Sequence, residues 1–193
     1  GMTEGHNNGD TMYLCHEYCT MGASELIPEL TRVAEFLAAN PREVLAFVNQ
    51  DAIHADDFAT AVTASGLIDY VYTGSTASYP TLDEMIDSNQ RVVMLAEQNS
   101  GSVPWYHNAY GGPMQETPYD FRKDESGTTL TTQEGITQLT EPASLDSTCR
   151  PHRGGTSGAL FLMNHWVNGR YDNGNTVQPD SQVAAILNTK DVL

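Results

Sequence analysis

Phe36-Leu37-Ala38-Ala39-Asn40-Pro41-Arg42-Glu43-Val44-Leu45-Ala46-Phe47-Val48-Asn49-Gln50-Asp51 is the stretch that decides the fold. It closes one kind of element, opens another and ends on polar groups. Upstream of it, Leu26, Leu30, Val33, Phe36 and Leu37 keep the three- and four-residue spacing of a helix lying on a sheet. Ser24 is placed to cap the start of that helix. Asn40-Pro41 stops it, because a residue before proline is pushed out of the α region. Glu43 to Asn49 is then nearly all apolar and predicts a strand buried on both faces, the mark of a parallel sheet. Asn49, Gln50 and Asp51 stand at its C-terminal end.

The same grammar extends in both directions. Thr11 to His16 predicts a strand that delivers His16 to its C-terminal end, followed by the small and loop-forming residues Cys19, Thr20, Gly22 and Ala23. Asp56 to Ser65 predicts a short helix. Pro80 to Ile86 opens another, with Thr81 as N-cap and Glu84 three residues on, a capping-box spacing. Arg91 to Ala96 predicts a second buried strand ending at Glu97. Gln98 to Gly155 is irregular and rich in Gly, Pro, Ser and Thr. Gly158 to Met163 predicts the last buried strand, ending at Asn164-His165, and Gln182 to Leu187 a closing helix. Alternating strands and helices imply an α/β domain with parallel strands. The polar clusters gather at C-terminal strand ends, where barrel enzymes keep their active sites.

The chain has 193 residues, 39% of them hydrophobic, and residues 1–193 read as one globular domain. Twenty-five acidic residues against nine basic ones give a formal charge of -16. Such a surface repels nucleic acid and anionic bilayers, and a phosphate would be bound only through a few local donors. The charge suits an acidic secreted or halotolerant protein. No apolar run reaches the roughly 18 residues that span a bilayer. Gly1-Met2 has the look of a tag-cleavage remnant, which places any export signal upstream. Of the cysteines, Cys15 reads as a buried small residue within a strand. Cys19 and Cys149 lie in loops and form the favoured disulfide pair. Two near cysteines and one distant one lack the paired spacing of a zinc site.

A run of motifs in fixed order now bears on identity: Leu14-Cys15-His16, Phe36 to Val44, the acidic strand end at Asp51, and Pro80-Thr81-Leu82-Asp83-Glu84-Met85. Glu116-Thr117-Pro118-Tyr119, Cys149 to Arg153, and Leu160 to His165 follow. Together they resemble the X-domain family of phosphatidylinositol-specific phospholipases C, within the PLC-like phosphodiesterases. The resemblance runs from about residue 10 to about residue 166. It implies a distorted TIM-type (β/α) barrel. It also implies phosphodiester cleavage by two histidines, one deprotonating the inositol 2-hydroxyl and one protonating the leaving glycerol oxygen. The product is a cyclic phosphate.

By this resemblance His16 matches the general-acid histidine. Gln50 falls where relatives carry a Glu that contacts substrate or calcium, and Asp51 matches the acid beside it. Glu97 sits where some relatives place a substrate-binding Arg. Glu116 and Tyr119 resemble a segment near the inositol pocket; Asn164 and His165 are expected either to line the pocket or to serve strand-end hydrogen bonds. The chain departs from the family in having no Thr-His-Asn segment for the first histidine, and no Arg after it. It therefore reads as N-terminally truncated, with a barrel incomplete at that end. Gln50 replaces a possible ligand, so no cofactor is expected, and calcium stays open without being favoured. The implied partner is a phospholipid head group or a small soluble diester, with transient membrane contact and no nucleic acid. Trp105, Tyr106 and Tyr110 either reach a bilayer from the rim or pack the long loop. Arg150 and Arg153 read as solvated loop residues, with phosphate binding as the sharper alternative. His54, His107 and His152 read as surface residues. Two other functions stay open: a non-catalytic barrel that keeps a binding pocket, and a glycerophosphodiester phosphodiesterase, which would need a metal cluster of paired acids.

Overall fold

The computed structural model of the chain describes residues 11–15, 19–117, 153–163, 168–170 and 177–179, the last two stretches by backbone alone. The backbone groups into two compact units, Gly1–Pro113 and Met114–Leu193. The architecture is mixed α/β.

The first unit opens with strands β1 (Tyr13–Cys15) and β2 (Ala23–Glu25), paired antiparallel with Cys15 opposite Ala23. A 3-10 turn at Cys19–Met21 tightens the reversal. It brings the Cα atoms of Cys15 and Cys19 to 5.0 Å, within disulfide reach, and the two are bonded. The expected Cys19–Cys149 pair is thereby corrected. The reason is local: the turn supplies a partner four residues away.

Helix α1 (Leu26–Ala39) follows at once. Ser24 lies in β2 instead of at the cap; Glu25 takes that position without a side-chain cap bond. Leu26, Leu30 and Leu37 are the buried stripe of α1. At its other end both Asn40 N and Asn40 Nδ2 donate to the Phe36 carbonyl, so Asn40 closes the last turn. Strand β3 (Leu45–Asn49), helix α2 (Ala55–Ala64), helix α3 (Leu82–Asp87) and strand β4 (Val92–Ala96) come next. Gly66, in the left-handed region at φ 76, lets the chain leave α2. The capping box at α3 is present: Glu84 N donates to Thr81 Oγ1, and Thr81 N donates to Glu84 Oε2.

Strands β3, β4 and β5 (Tyr106–Asn108) form a parallel sheet in that order. Asn49 lies opposite Ala96, and Ala96 opposite Asn108. Every residue of β4 is buried. β3 differs from the expectation of burial on both faces: Leu45 and Phe47 pack on the helix-side core, while Ala46 and Val48 are exposed. Among the described residues β3 is an edge of this sheet. The core joins Leu26, Leu37, Phe58, Val62, Leu67, Val92, Met94 and Tyr106. Burying each leucine contributes about 1.5–3 kcal/mol. Phe58 packs against Tyr106 with ring centroids 4.9 Å apart, and against Trp105 at 6.4 Å.

In the second unit β6 (Met114–Glu116) pairs in parallel with β7 (Leu160–Leu162), Glu116 opposite Leu162. β7 was expected to be buried, but Phe161 and Leu162 are exposed. Gly154, at φ 82, passes so close to the Met114 carbonyl that no side chain fits there. The backbone of β8 (Asn168–Arg170) pairs antiparallel with β9 (Val177–Pro179). Among the described residues the strands form four separate sheets and no closed barrel. The helix expected at 182–187 and Cys149 lie outside the described residues. No described helix is long and apolar enough to cross a membrane.

Candidate functional site

Parallel pairing carries the ends of β3, β4 and β5 to one edge of the sheet, so their polar residues meet. Gln50 and Asp51 follow β3, Glu97 follows β4, and Glu97 N donates to the Asn49 carbonyl at 2.8 Å. Gln50 is exposed; Asp51 and Glu97 are half-buried. The Asp51 carboxylate accepts from two backbone amides of the neighbouring loop, Gln98 N at 3.0 Å and Asn99 N at 2.5 Å. Asn108, at the end of β5, holds the same loop from the other side: its Nδ2 donates to the Gln98 carbonyl and its Oδ1 accepts from Tyr110 N. Asp51 and Asn108 thus fix the segment that carries Glu97 and Gln98.

Three further residues at this edge have surroundings that differ from what the sequence suggested or left open. Tyr106 is buried, and burial pushes its hydroxyl up to about 12. The Asn49 side chain beside it offsets part of that rise, while the Asp51 charge adds to it. Asn49 Nδ2 nevertheless meets no partner of hydrogen-bond geometry among the described residues. His107, expected at the surface, is half-buried in β5; burial lowers its pKa, and its Nε2 is likewise unmatched there. Tyr106 was one of three aromatics considered for a membrane rim, and it belongs to the core instead. An aromatic-polar-polar triplet such as Tyr106-His107-Asn108 has too little apolar pattern to mark a strand.

Glu116 belongs to the second unit. It is buried and paired with Arg153, whose Nε lies 2.5 Å from Glu116 Oε2 and whose Nη2 lies 3.2 Å from Oε1. The backbones pair as well, with Glu116 N donating to the Arg153 carbonyl at 3.0 Å. Arg153, expected on a solvated loop, instead neutralises a buried carboxylate. His16, Tyr119, Asn164 and His165 lie outside the described residues.

With this geometry in hand, the chain can be compared with known proteins. The PI-PLC X 1 family model matches residues 2–192. The chain belongs to the PI-PLC X domain family. A relative from Arthroderma benhamiae, described as an uncharacterized secreted protein, is 36% identical over 124 residues. That alignment covers 59% of this chain and 28% of the relative, so the chain spans less than a third of the relative's length. No solved structure matches. Family membership gives the strand-end edge of β3, β4 and β5 its interest, because that edge carries the positions at which the family resemblance places substrate contacts.

Proposed function

We propose that this PI-PLC X domain protein is a phosphoric diester hydrolase or lyase. In this reading it cleaves an inositol phospholipid or a related soluble diester on a (β/α) barrel. The observation that supports it most is the family match along residues 2–192, which takes in every motif from Leu14-Cys15-His16 to Leu160-Phe161-Leu162. His16, next in sequence after β1, acts as general acid and protonates the leaving glycerol oxygen. A base on the far side of phosphorus takes the inositol 2-hydroxyl proton. Gln50, Glu97, Tyr119, Asn164 and His165 contact the head group, and Asp51 holds the loop that presents Glu97. Glu116 is neutralised by Arg153. The reading needs no metal. Asp51 spends its oxygens on backbone amides and Gln50 is neutral, which is a poor donor set for calcium. The secreted description of the relative supports an extracellular location, where contact with a bilayer is transient.

The test is turnover of phosphatidylinositol by the full-length protein and by His16→Ala. Loss of a general acid lowers turnover by roughly 10²–10⁴-fold. Turnover untouched by the substitution removes His16 from the mechanism. A full-length protein without any turnover leaves a barrel that only binds its ligand.

A further inference from the structure

A second concavity lies at the other end of β4. Val71 bridges Val92, and Tyr72 N donates to the Val92 carbonyl at 2.8 Å, so the segment after residue 71 leaves from the N-terminal end of the strand. Asp51 and Glu97 stand at the C-terminal end, roughly 13 Å away at about 3.3 Å per residue. Between that departing segment and α3 is a cavity of about 590 Å³ lined by Tyr72, Thr73, Ser78, Tyr79, Glu84 and Gln90 among others. Its volume falls within the range of small-molecule sites, about 300–1,000 Å³.

The walls are built rather than incidental. Tyr72 Oη donates to the Ser75 carbonyl at 3.0 Å, and Gly74 passes so close over the Tyr72 ring that a Cβ there would strike it. Tyr79 packs against Tyr72 with ring centroids 5.6 Å apart. Gln90 Oε1 accepts from Thr73 N at 3.1 Å, which fixes the amide and turns its two Nε2 hydrogens away from that bond.

The chemistry of the lining selects its occupant. The cavity has hydroxyls, one amide, two phenol rings and one carboxylate, and no cationic side chain. Glu84 is held ionised by the Thr81 backbone amide, and the whole chain carries a charge of -16. An anion is therefore repelled, and two rings and one proline among polar groups offer too little continuous apolar surface for an acyl chain. A compact ring with an apolar face and several neutral hydroxyls fits: the face lies on an aromatic ring, and the hydroxyls reach the amide, the hydroxyls and the carboxylate. We propose that this cavity is a binding site for a neutral polyhydroxylated ring, a saccharide or a cyclitol, separate from the strand-end site. The proposal stands whether or not the chain cleaves a phosphodiester.

The test is calorimetric or saturation-transfer binding of maltose, cellobiose and myo-inositol to the full chain, which also tells saccharide from cyclitol. At least one should bind with a Kd of about 10 mM or tighter, and Gln90→Ala or the mouth-blocking Ser78→Trp should weaken it at least about tenfold. Each variant should keep the thermal midpoint of the parent, which separates a lost site from a lost fold. Gln50→Ala, at the opposite end of β4, should leave this binding in place. No binding by any of the three compounds overturns the proposal. So does binding that survives both Gln90→Ala and Ser78→Trp, or binding that Gln50→Ala abolishes.

Discussion

Arg91 and Asp51 both tie distant segments together with a charged side chain and backbone groups, yet they sit in opposite surroundings. Arg91 precedes β4 and is 2% exposed. Its Nη2 donates to the Leu37 carbonyl, its Nη1 to the Asn40 and Glu43 carbonyls, and its Nε to Asn89 Oδ1. Its guanidinium lies 4.9 Å from the Tyr70 ring centroid. This cation sits at the C-terminal end of α1, where the helix dipole favours it. Asp51, at the far end of the sheet, is half-buried and joins one loop to one strand end, with unmatched polar atoms on Asn49 nearby. The Arg91 site is a network of four hydrogen bonds to oxygens brought in from α1, the turn after it and Asn89. The Asp51 end keeps polar groups in reserve. That contrast can be broken by substitution.

The largest effect is expected at Arg91. Arg91→Leu leaves three carbonyls without donors, and at about 1 kcal/mol each the chain should lose roughly 3 kcal/mol. Arg91→Lys should restore only part of it, since an ammonium cannot span the fork of acceptors. Urea unfolding measures both. A loss below about 1 kcal/mol for the leucine variant would mean that the network adds little over packing.

Asp51→Asn should act more weakly on stability and more strongly on function. The amide keeps one acceptor oxygen for two backbone donors, so about 1–2 kcal/mol should go. Hydrogen exchange at Gln98 and Asn99 should quicken, and phosphatidylinositol turnover should fall by more than the stability change explains. Equal and small losses in both would put Asp51 in the same class as Arg91.

The legibility of the two ends differed in the same sense. β4 and most of α1 were readable because apolar period and Asn40-Pro41 punctuation are local signals. Thr81 and Glu84 were readable because a capping box needs only a fixed spacing. Gln50, Asp51 and Glu97 were readable as strand-end polar residues, and the structure brings them to one edge. β5 was not readable, since Tyr106-His107-Asn108 becomes a strand only by pairing with β4. Arg91 looked like the first residue of a strand, and its burial depends on carbonyls 48 to 54 residues away in sequence. The Cys15–Cys19 bond was missed because its proximity comes from a turn that composition alone does not announce.

The smallest expected effect concerns His107, in β5 at the same strand-end edge. Burial disfavours the imidazolium, so its folded pKa lies below the ordinary value of 6.5. As pH falls through about 6.5 the unfolded chain takes up this proton first, so the unfolded state holds more protons and stability drops. The loss levels off once the folded imidazole is protonated as well. Urea midpoints at about pH 7.5 and about pH 5.5 should therefore differ more for the parent than for His107→Gln. Parallel behaviour of the two proteins would show that His107 is as well hydrated in the folded chain as in the unfolded one. The polar reserve at this edge would then shrink to Asn49 and Tyr106.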